Sequence, residues 1–180
     1  MTPAVRTICV DFDGTICEYA FPKCGPPHWQ VIAALRSLNK SGWRIIIHSS
    51  RVNRDWSAEE RRRRTGDMVE YLYVHSVPFD QVWGAELSSH LPGRCPGGLC
   101  PDGRIVELNG DAELKVCVRV HFPDRDVGKP IAHVYLDDRA LPVVPRVGSQ
   151  VWPAYTEHEI ISACREIADW ADREHSPGTA

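Results

Sequence analysis

Thr7-Ile8-Cys9-Val10-Asp11-Phe12-Asp13-Gly14-Thr15 is the stretch that decides how this chain is read. Its first four residues are apolar or β-branched, as in a strand buried on both faces. They break at once into two aspartates, a glycine and a threonine, residues that favour a polar turn. A buried strand that ends in carboxylates delivers charge to one edge of a sheet.

Working outward, Pro26 and Pro27 punctuate the chain, and Trp29, Ile32, Ala33, Leu35 and Leu38 recur at helical spacing up to Asn39, before Gly42. Trp43 to His48 repeats the first pattern, an apolar strand breaking into Ser49-Ser50-Arg51. A charged stretch from Ser57 to Arg64 leads into Met68, Val69, Tyr71 and Leu72, a second helix ending before Pro78, and Gln81 to Trp83 reads as a short strand. Ile131 to Leu136 is another apolar strand, ending in Asp137-Asp138-Arg139, and Thr156 to about Arg173 carries a capping-box start and helical spacing. Alternation of this kind predicts an α/β fold, a Rossmann-like parallel sheet with helices on both faces.

Residues 85–127 interrupt the alternation. Leu91 to Pro101 is too rich in proline and glycine for helix or strand. Arg104–Leu108 and Ala112–Phe122 then flank Asn109-Gly110, a strong hairpin signal. The expectation is one domain over residues 1–180 with a loop and small β-hairpin inserted at 85–127, a small cap at most.

The chain has 180 residues, 43% of them hydrophobic, and a formal charge of −3. That length supports a full core without metal or disulfide staples. The near-neutral balance supplies no overall field for nucleic acid or an anionic membrane. No apolar run approaches the ~20 residues that span a bilayer. Met1 to Val5 lack a secretory pattern, so the expected location is cytoplasmic. Seven cysteines, unevenly spaced, read as reduced thiols. Cys95 and Cys100 offer a loose zinc spacing without a second pair, and loop thiols are the simpler reading.

Three strand ends therefore carry residues suited to a phosphate and a metal: Asp11 and Asp13, Ser49, and Asp137 with Asp138. In open parallel sheets ligands bind outside the carboxyl ends of the strands. Together with Lys129 in Gly128-Lys129-Pro130, these segments resemble the four motifs, in order, of the haloacid dehalogenase (HAD) superfamily, in particular its small, minimally capped phosphatases. Asp-x-Asp-Gly-Thr after a buried strand is the specific element; a lone serine or lysine means little without it.

The resemblance implies a Mg²⁺-dependent phosphomonoester hydrolase. Asp11 would be the nucleophile, forming an aspartyl-phosphate, and a metal ligand. Asp13 would be the general acid and base, its backbone carbonyl a second metal ligand. Asp138 is the preferred further ligand, with Asp137 in direct contact or behind it. Ser49, chosen over Ser50 by its distance from the strand, and Lys129 would hold phosphoryl oxygens. Gly14 would let the loop backbone approach the phosphate, the amides of Phe12 and Asp13 would line it, and Arg51 would add a cation from the same side. Arg139 is similarly placed, and Trp29 and Trp56 could shape the mouth. The chemistry is independent of the name: an anionic nucleophile attacks a phosphate anion only where cations and positioned donors offset the charge, and Mg²⁺ accepts such oxygen ligands.

The expected partner is a small-molecule or nucleotide phosphomonoester. A polynucleotide end is an alternative substrate without support from net charge. Outside the enzyme class, the alternative is a non-catalytic or zinc-stabilised binding module on the same scaffold, which would have no need of both Asp11 and Asp13. Arg61 to Arg64 reads as a solvated helix face, or as a patch for a phosphate-rich ligand.

Overall fold

The computed structural model describes residues 6–90, 103–108, 111–124, 130–132, 134–137 and 162. The loop carrying Cys95 and Cys100, the Asn109-Gly110 turn, Lys129, Asp138, Arg139 and most of the expected last helix lie outside these residues.

β1 (Thr7–Asp11), β2 (Arg44–His48), β3 (Gln81–Val82) and β7 (Val134–Leu136) form a parallel sheet in the order β3-β2-β1-β7. The apolar runs fill its middle: Ile8, Val10, Ile45 and Ile47 are fully buried. A parallel sheet buried on both faces draws on such unbroken apolar strands.

α1 (Trp29–Lys40) buries Val31, Ile32, Leu35 and Leu38, one stripe at helical spacing. α2 (Ala58–Val74) starts at Ser57, whose hydroxyl accepts from the Glu60 amide at 3.2 Å. Glu59 and Glu60 in its first turn complement the positive end of the helix. The charged stretch and the apolar series are thus one helix, with Arg64, Met68, Val69, Tyr71 and Leu72 on its buried side.

Two strand expectations are corrected. The final core strand does not begin at Ile131, which is 92% exposed beside Pro130; it covers only Val134–Leu136. The insert is a three-stranded antiparallel sheet, in the order β4-β6-β5, rather than a hairpin: β4 (Glu86–His90) joins β5 (Arg104–Leu108) and β6 (Asp111–His121). β6 is long enough to pair along both edges, opposing Val118 to Arg104 on one side and to Ser89 on the other. An unpaired edge would leave a row of backbone groups without partners. Val106 and Val118 are buried, and with Val120 they face Gly66 and Val69 of α2. The insert therefore packs along α2.

Candidate active site at the carboxyl ends of the strands

Register gathers the carboxylates. β1 pairs with β7 so that Val10 opposes Leu136, which sets Asp11 and Asp137 as the next residues at the same edge. On the other side Asp11 opposes His48, and Ser49 follows directly. Asp11, Asp13, His48, Ser49 and Asp137 all line one cavity of about 740 Å³. Tyr19, Phe21, Asn53, Arg54, Asp55, Trp56, Arg61 and Trp83 complete most of its wall.

The Asp-Phe-Asp-Gly-Thr loop turns back sharply. Phe12 points into the core, and its carbonyl accepts from the amides of Ile16 at 3.0 Å and Cys17 at 3.3 Å. Gly14 takes φ of 90°, a conformation that disfavours any side chain. Its amide donates to the Cys17 carbonyl at 2.8 Å, so that donor is spent inside the loop. This glycine shapes the turn. Burial pushes the neighbouring Cys17 thiol up to about 12, which keeps it neutral and poorly nucleophilic.

Ser49 is buried, and its hydroxyl oxygen accepts from the Arg51 amide at 3.1 Å. This caps a short 3₁₀ turn, Ser50–Val52, and leaves the hydroxyl proton to donate.

The turn sends Arg51 inward. Its side chain is 0% exposed, and its fork grips Asp13, Nε to Oδ2 at 2.9 Å and Nη2 to Oδ1 at 2.6 Å. The rest of the guanidinium donates to the carbonyls of Pro22 at 2.9 Å and Lys23 at 2.8 Å. Burial works against its charge, but the hydrogen bonds and charge of Asp13 prevail and hold its pKa above the ordinary value. Arg51 thus supports Asp13, with four of its five N–H donors on protein acceptors.

Arg61 and Arg54 stand on the cavity wall. Arg61 donates to the carbonyls of Val52 at 2.9 Å and Gly84 at 3.3 Å, and its pKa is lowered by burial and then by the charge of Arg54. Neighbouring cations that repel one another gain from an anion placed near them. The returning end of the insert is fastened to both: the Arg61 guanidinium lies 3.8 Å over the Phe122 ring, and Arg54 donates to the Pro123 carbonyl at 3.0 Å. None of the described insert residues lines the cavity.

The Arg61–Arg64 run divides its labour instead of forming one solvated face. Arg63 pairs with Glu60 and Asp67 outside, while Arg64 is buried between Phe21 and Trp56. Trp56 lines the cavity as expected. Trp29 does not; it is 55% exposed and meets the His75 ring edge to face. His48 and Arg54 carry no motif signal, although His48 adjoins Ser49, and of the arginine run it is Arg61 that reaches the cavity.

Among the described residues no three His, Cys, Asp or Glu side chains form a ready metal cage. The donors that do meet here are oxygens, from Asp11 and Asp137, and Asp13 could add only its backbone carbonyl while Arg51 holds its carboxylate. One or two carboxylates with water and phosphate is a donor set that suits Mg²⁺.

No described helix is long and apolar enough to cross a membrane. Cys9, Cys17, Cys24 and Cys117 are free thiols. No family model and no curated protein matches the chain. Among solved structures, a conserved protein from Bacteroides thetaiotaomicron is similar over 92% of this chain and 94% of its own, at 18% identity and a TM-score of 0.45.

Proposed function

We propose that the chain is a Mg²⁺-dependent phosphomonoester hydrolase of the HAD type, its α/β architecture a Rossmann-like core with helices on both faces and a small insert. The observation that carries this reading is the meeting of Asp11, Asp13, Ser49 and Asp137 in one cavity at adjacent strand ends. These are the residues that the four-motif resemblance requires, apart from Lys129 and Asp138.

In this mechanism the Asp11 carboxylate attacks phosphorus and the ester oxygen departs with a proton from Asp13, whose carboxyl has to have taken up that proton beforehand, exchanging its ion pair with Arg51 for a hydrogen bond to its carbonyl oxygen. Water then attacks the aspartyl-phosphate and gives its proton back to Asp13, releasing phosphate and freeing Asp11. Arg51 keeps the Asp13 carboxyl aimed through both steps, and the oxygens it grips keep further lone pairs for proton exchange. The Ser49 hydroxyl donates to a phosphoryl oxygen, and Lys129 would offset its charge. Arg54 and Arg61 favour the entering anion. Mg²⁺, held by Asp11, the Asp13 carbonyl, Asp137 and Asp138, would neutralise charge on the phosphoryl group as it transfers.

The test is phosphate release from p-nitrophenyl phosphate. Release should require Mg²⁺, stop on chelation, and vanish in Asp11→Asn. Undiminished turnover in that variant overturns the assignment.

A further inference from the structure

We infer that the cavity is shaped for a nucleoside monophosphate, a reading of substrate class that rests on the hydrolase proposal above. It starts from an alternating stack of rings and cations that runs from the core to the cavity wall. The Arg51 guanidinium lies 5.2 Å from the Phe12 ring and 5.3 Å from the Phe21 ring; Arg64 lies 4.5 Å from Phe21 and 3.8 Å from Trp56. Phe12 is fully buried, and Phe21 and Trp56 line the cavity. Cations over ring faces are attracted by the negative π face.

The stack holds Trp56 rigid. Its indole Nε1 donates to the Ser50 carbonyl at 3.0 Å, which ties the ring to the loop that carries Ser49. Arg64 is held at its Nε by Glu60 at 2.6 Å, while its Nη1 is buried without a hydrogen-bond partner among the described residues. An arginine kept in that setting serves the rings beside it, at the expense of its own hydrogen bonding. A wall fixed before the ligand arrives spares the entropy of ordering it.

The remaining wall has the same character. Tyr19, 60% exposed, and Trp83 add two more aromatic side chains. The four aromatic residues offer π surface on which a flat base can stack. Exposed Asn53 and Asp55 also line the cavity, their polar groups joined to each other by Asn53 Nδ2 to Asp55 Oδ2 and by the Asp55 amide to Asn53 Oδ1, both at 3.1 Å. At about 740 Å³ the cavity lies within the range of roughly 300–1,000 Å³ that takes a drug-sized organic molecule, far more than a phosphate needs. The acidic strand ends mark where the phosphate goes, and the aromatic wall where the base goes.

The test compares kcat/KM for AMP and ribose 5-phosphate, with a 5′-phosphorylated oligonucleotide as a third substrate. Stacking of a base on an aromatic side chain should favour AMP over ribose 5-phosphate by about five- to 150-fold. In Tyr19→Ala, and separately in Trp56→Leu, that ratio should fall towards one; the exposed Tyr19 keeps the test valid if Trp56→Leu does not fold. Equal kcat/KM for AMP and ribose 5-phosphate overturns the nucleotide assignment and leaves the hydrolase standing, and a faster oligonucleotide overturns it in favour of a polynucleotide end. Release from none of the three overturns the nucleotide assignment, and the hydrolase reading falls with it only if p-nitrophenyl phosphate is also left intact. AMP titration followed by tryptophan fluorescence then decides the cavity alone: saturable quenching absent with ribose 5-phosphate supports a nucleotide site, and no quenching overturns it.

Discussion

Replacing Arg51 with methionine removes a fully buried cation and leaves a carboxylate beneath the active-site loop whose side chain is only 8% exposed. The side chain makes four hydrogen bonds, two to Asp13 and one each to the carbonyls of Pro22 and Lys23. Removing one member of a buried pair strands the charge of the other, at a cost of about 3–5 kcal/mol. Arg51→Lys keeps the charge but not the fork, and leaves at least one buried acceptor unpaired at about 1–3 kcal/mol. Arg51 carries a raised pKa, so its stabilisation is complete below its unfolded value and is lost only as pH rises through the folded one. The loss in the methionine variant should therefore be the same at pH 6 and pH 8 on the arginine side. The assay is urea denaturation of the two single variants, Arg51→Met and Asp13→Leu, and the double variant. The double variant should recover a large part of the loss, because no stranded charge remains. A loss below about 1 kcal/mol in Arg51→Met, or strict additivity in the cycle, refutes the argument that this ion pair organises the loop.

Three further outcomes follow from the same geometry. Ser49→Ala should cost about 1 kcal/mol of stability in denaturation by removing the acceptor of the Arg51 amide, and should raise KM for a phosphomonoester; an unchanged KM refutes its contact with phosphate. Hydrogen bonds from Arg63 and Arg64 hold the Glu60 carboxyl down at about 2. A depressed carboxylate stabilises above its unfolded pKa and loses that as pH falls, so this contribution disappears between the ordinary 4.5 and about 2; NMR titration of Glu60 with a midpoint near 4.5 contradicts it. Gly25→Ala would drive a methyl group into the backbone carbonyl of Glu18 and should destabilise by about 1–3 kcal/mol, where an unchanged melting temperature argues against the packing of this loop.

The parallel sheet and three of its strand-end residues were legible because each rests on a local pattern. Ile8 to Val10 and Ile45 to Ile47 are apolar runs that only a doubly buried strand needs; Asp11 and Asp137 follow such runs directly, and Ser49 follows one after His48. What escaped depends on partners far away in sequence. Glu86-Leu87-Ser88-Ser89-His90 has no clean alternation, and becomes β4 because the long β6 offers it an edge. The spacing of Arg51 from Ser49 places it on the same loop but says nothing of direction, which the 3₁₀ turn sets by folding it back towards Phe12. Arg64 sits inside a run of like charges, and only the rings of Phe21 and Trp56 explain its burial.

The central claim is that Asp11 accepts the phosphoryl group. Acid quenching during turnover of a phosphomonoester in Mg²⁺, followed by peptide mass mapping, tests it most directly. The account predicts a phosphoryl adduct on the peptide bearing Asp11, absent in Asp11→Asn. Turnover with no adduct on Asp11 and full activity in Asp11→Asn would contradict it.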